Sequence, residues 1–323
     1  MITRELRHAI ARAAAAAGLP GTADPGLRAT GVPGRYAASV ALTLGRAARE
    51  TAAALAGRLA AEDWVSTAEV TGPGYLTVTV TRAALSNVAC TVTAAGPGCV
   101  TSDALAGHTV PGATPGDPLA APSWEKAQQA VAARLTVRLA AAAGATVAEP
   151  DDEERVGLPP EPELAAAVAF AGRDAVLFTL ARTVPGQPAE ADQAIIARHV
   201  PGNPAYAVRY AHARAASGVR WGVASRGGNA DPGQLVLLDA LSWLPERVAT
   251  AARRGRPDEF ARYLEDLASV TVDVLSSAAH PGKAGAPGSD RLAVARAART
   301  GLAAGLGLLE VAAPDRLLTE HGE

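Results

Sequence analysis

From Leu164 almost to the C-terminal end, glycine and proline gather at a few places. These are Pro185 to Pro188, Pro201 to Pro204, Gly227 to Gly233, Gly255 to Pro257 and His280 to Gly288. The intervals between them carry apolar residues at helical spacing, so residues 164–323 read as a bundle of about five or six helices ended by these breakers. Of all residues 49% are apolar but only 4% aromatic, with alanine supplying much of the apolar share. That balance favours helices that approach closely through small side chains over a sheet rich in β-branched residues.

The N-terminal part has a different texture. Residues 4–18 read as one helix and Tyr36 to Ala61 as a second helical stretch broken near Gly45. The turn Gly72-Pro73-Gly74 leads into a strand-like run from Leu76 to Val80. Between Ala95 and Pro122 the chain is dense in Gly, Pro, Thr and Ala, which reads as a linker. Trp124 to Ala143 reads as an alanine-rich helix, and Asp151-Asp152-Glu153-Glu154 with Pro159-Pro160 as a solvated acidic loop. The expected fold is mainly α. A small N-terminal α+β domain (1–94) is joined through a Gly/Pro-rich linker and one helix (95–163) to a C-terminal helical bundle (164–323).

Charge is distributed unevenly along this framework. Residues 1–94 hold nine arginines against six acids, residues 95–170 four basic residues against ten acids, and residues 171–323 seventeen against sixteen. The two ends can face a polyanion and the middle cannot. Cys90 and Cys99 lack metal-site spacing, and four adjacent carboxylates cannot converge on one ion, so no metal or cofactor is expected. Charges close to Met1 and the lack of an 18-residue apolar run lead to the expectation of a cytoplasmic protein without membrane association.

The chemistry concentrates between Gln193 and Ala230. No acidic residue occurs there, yet Arg198, Arg209, Arg214, Arg220 and Arg226 are interleaved with His199, Tyr206, Tyr210, His212 and Trp221. Arginine meets phosphates through a planar donor fork, and aromatic faces stack on splayed bases. Asn203-Pro204 opens a helix well, the asparagine as cap and the proline in the first turn. At about 100° per residue, Tyr206, Tyr210, Arg214, Ser217 and Trp221 then share one face. On helix statistics alone that stripe would be the buried side and the arginines its wet edge, with His212 a structural histidine.

The run Asn203-Pro204-Ala205-Tyr206-Ala207-Val208-Arg209-Tyr210-Ala211-His212-Ala213-Arg214 resembles the signature that opens the anticodon-binding domain of arginyl-tRNA synthetases. Gly172-Arg173-Asp174-Ala175-Val176-Leu177-Phe178 is similar to the segment that gives this DALR-type, class I synthetase fold its nickname. Ala261 to Ala268 and Gly301 to Val311 fit its last helices. Upstream, Pro33-Gly34-Arg35-Tyr36 and Gly72-Pro73-Gly74-Tyr75-Leu76 resemble the additional N-terminal domain that touches the tRNA elbow. Pro33, Arg35 and Ala37 depart from its usual residues. The resemblance implies tRNA contact through Tyr206, Arg209, Tyr210, Arg214, Arg220, Trp221 and Arg198 on the bundle, and through Tyr36 and Arg35 on the N-terminal unit.

A synthetase of this class also carries His-x-Gly-His and often Lys-Met-Ser-Lys in a nucleotide-binding domain. Neither occurs here; the only methionine is Met1, and the nearest remnant is Leu105-Ala106-Gly107-His108. Residues 95–163 are too few for several βαβ units of about 30 residues each. The expectation is a non-catalytic tRNA-binding paralogue, with tRNA-Arg the first candidate. Its rivals are a module docking on an aminoacyl-tRNA synthetase or another protein, and an enzyme using charged tRNA or one part of a split ligase.

Overall fold

The computed structural model describes residues 1–19, 24–44, 47–150, 162–188, 193–200, 202–222, 230–277 and 291–317. The acidic loop 151–161, residues 227–229 of the 227–233 break and the whole 280–288 break lie outside the described residues.

The N-terminal unit opens with α1 (Ile2–Ala16), whose Leu6, Ala9, Ile10, Ala13 and Ala14 point inward at helical spacing. A four-stranded antiparallel sheet follows, in the order β1 (Leu27–Ala29), β2 (Arg35–Ala38), β4 (Tyr75–Val80), β3 (Val65–Thr71). The hairpin β3–β4 turns at the expected Gly72-Pro73-Gly74, where Gly72 and Gly74 take positive φ. Helices α2 (Val40–Leu44) and α3 (Ala48–Leu59) complete the unit. Tyr36 therefore lies in a strand, not in a helix. The alternation Arg35 half-buried, Tyr36 buried, Ala37 half-buried, Ala38 buried is the period-2 pattern that a purely helical reading of 36–61 overlooks.

The Gly/Pro-dense stretch is not a spacer. After α4 (Arg82–Ser86) and α5 (Val88–Ala95), a 3-10 turn at Gly96–Val100 packs on the bundle, and Cys99, Val100, Ala104, Leu105 and Leu119 are buried. Frequent prolines and glycines break regular elements there, yet apolar side chains at irregular intervals still anchor the path. By length and composition the run Arg82–Val100 could cross a membrane, but here it packs against the last helix of the bundle. Two short strands, β5 (Thr109–Val110) and β6 (Thr146–Val147), pair in parallel around α6 (Trp124–Ala142), a helix capped by the Ser123 hydroxyl.

The bundle comprises α7 (Pro162–Ala171), α8 (Arg173–Arg182), the single turn α9 (Gln193–Ile196), α10 (Pro204–Trp221), α11 (Pro232–Ser242), α12 (Leu244–Arg254), α13 (Pro257–Ser277) and α14 (Arg291–Leu308). Among the described residues eight helical segments stand where five or six were expected, because two bends fall inside apolar runs. The axes of α7 and α8 differ by 115° at Gly172, whose φ of 86° favours glycine. Helix α11 gives way to α12 at Trp243. Small residues set the packing distance as composition predicts: a Cβ on Gly305 would lie 2.5 Å from Leu264, and one on Gly301 2.6 Å from Leu241.

One continuous apolar core runs from Met1 through the middle segment to Val311. Polar contacts fasten the N-terminal unit to the bundle inside it. The Tyr36 hydroxyl and the Gly34 N–H both donate to Asp239 Oδ1 (2.7 and 3.0 Å), and the Thr3 hydroxyl donates to the Ser242 carbonyl (2.6 Å). Arg82 reaches the Ala230 carbonyl at 2.6 Å.

Candidate nucleic-acid interface

Asn203 is the residue that assembles the site. Its side-chain oxygen accepts the Tyr206 N–H as the cap of α10, and its amide nitrogen donates to the carbonyls of Ile196 (2.7 Å) and Arg198 (2.8 Å). One buried side chain therefore both starts the helix and ties the preceding segment to it. That tie sets His199 over Tyr206, with ring centroids 5.4 Å apart and planes 13° from parallel. Tyr206 in turn stacks on Tyr210 at 5.8 Å and 20°. The spacing of four residues along the helix brings the second pair together.

This three-ring ladder is on the open side of α10. The buried side is Ala205, Val208, Ala211, His212, Ala215 and Ala216, packed on α13 and α14, so small residues and not the aromatics fill the core. Tyr210 is 39% exposed and Trp221 82%. The reading in which the aromatic stripe faces inward is thus overturned. A helix whose opposite face is alanine can seat closely on its neighbours and leave its rings to the solvent.

The arginines differ in how free they are. Arg214 is half-buried and has no carboxylate partner among the described residues, and Arg198 is exposed and unpaired there too. Arg209 Nη2 lies 3.6 Å from Asp174 Oδ2, while its Nε is buried without a hydrogen-bond acceptor. It lines a cleft of about 520 Å3 together with Arg173, Asp174, His199, Tyr206 and Arg316. Arg220 donates to the Asp315 carbonyl at 3.1 Å, so part of its donor fork is committed to the C-terminal segment. Arg299 grips the Asp315 carboxylate with two hydrogen bonds of 2.9 and 2.8 Å and holds its pKa below the usual range.

His212 is structural. Its Nδ1 faces the Pro314 carbonyl at 2.9 Å and must donate to it, since a carbonyl only accepts. Burial lowers its pKa, so the ring is neutral near pH 7 and pins the C-terminal segment against α10.

Tyr36 requires a correction. It is 1% exposed, and burial beside Asp239 raises its pKa far beyond its ordinary value, so its ring cannot stack on RNA. It serves instead as the anchor between the two halves, its ring tilted at 41° and 5.5 Å from Trp243. Arg35, its neighbour on β2, is half-buried and belongs to the sheet, sharing no element with the α10 residues. Sequence reasoning missed the roles of His199 as the first ring of the ladder and of Arg173 and Arg316 in the cleft. The triple hydrogen bonding of Asn203 brings in His199, the bend at Gly172 places Arg173 and the C-terminal segment supplies Arg316, and none of these leaves a periodic signal.

Residues 208–317 match the family model described as DALR anticodon binding domain. Over part of its length the chain is similar in sequence to arginyl-tRNA synthetases. The arginine–tRNA ligase of Kineococcus radiotolerans is 33% identical over 201 residues, covering 57% of this chain and 33% of the relative. That of Frankia alni is 34% identical over 162 residues, covering 45% and 29%. The chain thus spans about a third or less of the length of these relatives. The arginyl-tRNA synthetase of Thermus thermophilus superposes with a TM-score of 0.64 at 15% identity, over 98% of this chain and 100% of that one, which shows a shared fold. The anticodon-domain resemblance and the mainly helical architecture are as the sequence led us to expect.

Proposed function

We propose that this chain binds tRNA through the open face of α10 and does not itself attach an amino acid. The observation that carries the reading is the ladder His199–Tyr206–Tyr210 beside Arg214, which has no carboxylate partner among the described residues, and the half-paired Arg209, at the start of the segment that matches an anticodon-binding domain. The exposed end rings of the ladder, His199 and Tyr210, offer outer faces to unstacked bases, and guanidinium groups along the same helix meet the phosphates that connect them. Arg198, Arg220 and Trp221 extend the surface at the two ends of the helix. The first candidate partner is tRNA-Arg, a choice supported by similarity to arginine–tRNA ligases, and the cytoplasm is where such a complex would form.

Support for the non-catalytic part comes from the residues. No His-x-Gly-His or Lys-Met-Ser-Lys element occurs in the sequence, and among the described residues of the segment joining the two halves the α-helices and strands are one helix and two short strands. Two measurements test the proposal. RNA that co-purifies with the chain should be tRNA, enriched in one isoacceptor class; a random RNA pool would contradict it. The purified chain should show no arginine-dependent exchange of pyrophosphate into ATP, and robust exchange free of host synthetase would overturn the second half.

A docking role on an aminoacyl-tRNA synthetase is the second reading, favoured by two large apolar side chains left in water, Trp221 at 82% and Phe170 at 66% exposure. A synthetase complex that survives nuclease treatment would favour it, since an RNA bridge would not.

A further inference from the structure

A second polar cleft, about 700 Å3 in volume, lies where the N-terminal unit meets the bundle. Arg28 on β1 stands on one wall and Arg247, Arg253 and Arg254 on α12 form the other, with Trp243 between them. Its carboxylates are already engaged. Glu246 is buried between Arg253 (3.5 Å) and Arg7 (3.9 Å), Asp24 pairs with Arg253 at 2.7 Å, and Glu259 pairs with Arg254 at 3.0 Å. Arg28 and Arg247 have no carboxylate partner among the described residues.

Arg247 is also held in place. Its guanidinium lies over the rings of Trp243 and Tyr263, at 5.4 and 5.2 Å from their centroids. The Tyr263 hydroxyl donates to the Ala240 carbonyl, and Trp243 is packed in the core, so both rings are fixed. A guanidinium parked on aromatic faces keeps its charge and its N–H edge while losing little rotamer entropy when an acceptor arrives. Two separate parts of the chain thus bring unneutralised cations to one concave surface, an arrangement whose repulsion an anion relieves. The volume exceeds that of a single phosphate and suits a run of two or three.

We propose that this cleft binds a chain of phosphate groups between Arg28 and Arg247. The shared chemistry has two sources, the backbone of an RNA and a free polyphosphate. The proposal does not rest on the α10 reading, because no residue of α10 lines the cleft.

The test is calorimetric titration of sodium tripolyphosphate into the full chain and into Arg28→Ala/Arg247→Met, with tRNA affinity measured on both at the same low salt. Methionine keeps bulk against the two rings, and a thermal melt checks the fold. Saturable tripolyphosphate binding that weakens at least tenfold in the variant supports the proposal. If tRNA affinity also falls at least threefold, the RNA backbone is the source; if it is unchanged, the source is a free polyphosphate. A threefold loss of tRNA affinity without tripolyphosphate binding supports the RNA backbone alone. Equal behaviour of wild type and variant toward both ligands overturns the site, as does equal competition by polyglutamate, which would make it a carboxylate site. Should the Arg247 change loosen the fold, Arg28→Ala decides alone by the same readouts, since that exposed side chain has no carboxylate partner among the described residues. Arg209→Glu/Arg214→Glu should keep tripolyphosphate binding intact, which separates failure of this proposal from failure of the α10 one.

Discussion

Helix α10 and strand β2 each carry residues that resemble a tRNA-contacting motif, and the structure treats them in opposite ways. On α10 the aromatics face outward because alanines and Val208 fill the core side of the helix. On β2 the alternation of the strand turns Tyr36 inward, and a half-buried carboxylate, Asp239, accepts a hydrogen bond from its hydroxyl. The lesson is that a binding residue is defined by what its opposite face packs against. A motif kept on a face that has become an interface serves stability.

The largest effect that would break this contrast is at Tyr36. Tyr36→Ala should cost about 3–5 kcal/mol, as for other large buried aromatics, and Tyr36→Phe about 1–2 kcal/mol by leaving Asp239 one donor short. Denaturant melts read both. Tyr36→Phe should leave tRNA affinity within about twofold; a tenfold loss in a folded protein would return Tyr36 to the binding surface.

Next comes the ladder. Tyr210→Ala removes an exposed ring that contributes little to folding, yet should weaken tRNA binding roughly fivefold to a hundredfold, the range for loss of one base-stacking platform. An unchanged affinity would mean that the rings are surface decoration.

A third expectation concerns the Gly/Pro-dense segment. With Cys99, Val100, Leu105 and Leu119 buried, a broad-specificity protease should not cut between residues 96 and 121 before other sites. Early release of an intact C-terminal fragment by cleavage there would restore the linker.

The smallest effect is at His212. Its folded pKa lies below the ordinary 6.5, chiefly through burial, so its contribution to stability is present above pH 6.5 and is lost as pH falls through the folded value. Between pH 7 and 5 the Tm should drop by roughly 2–4 °C more in the wild type than in His212→Gln. Asp315, 4.0 Å from Nε2, offsets part of this. Equal pH profiles would show that the ring does not pin the C-terminal segment.

Much of the bundle was legible because its signals are local. The Asn203-Pro204 cap, the glycine and proline breaks and the small-residue helices each follow from a few neighbouring residues. What escaped was set by tertiary contact. The strand at Tyr36 is too short to read beside a helical stretch, and the middle segment is held by apolar residues without a period. The His199 ring joins the site only because Asn203 bonds backward to Ile196 and Arg198. The cleft between Arg28 and Arg247 unites residues more than two hundred positions apart, which no spacing rule connects.

The most direct test of the central claim is the salt dependence of tRNA affinity for Arg209→Glu/Arg214→Glu against a control of equal charge change, Lys126→Glu/Arg296→Glu, on two other helices. If α10 is the binding face, the first variant binds at least about tenfold more weakly at moderate salt, with a flatter slope of log affinity against log salt. The control stays within about threefold of wild type, and both keep their helicity. Equal affinities for the two variants, both folded, would contradict the account and leave protein docking as the better reading of the exposed Trp221 end.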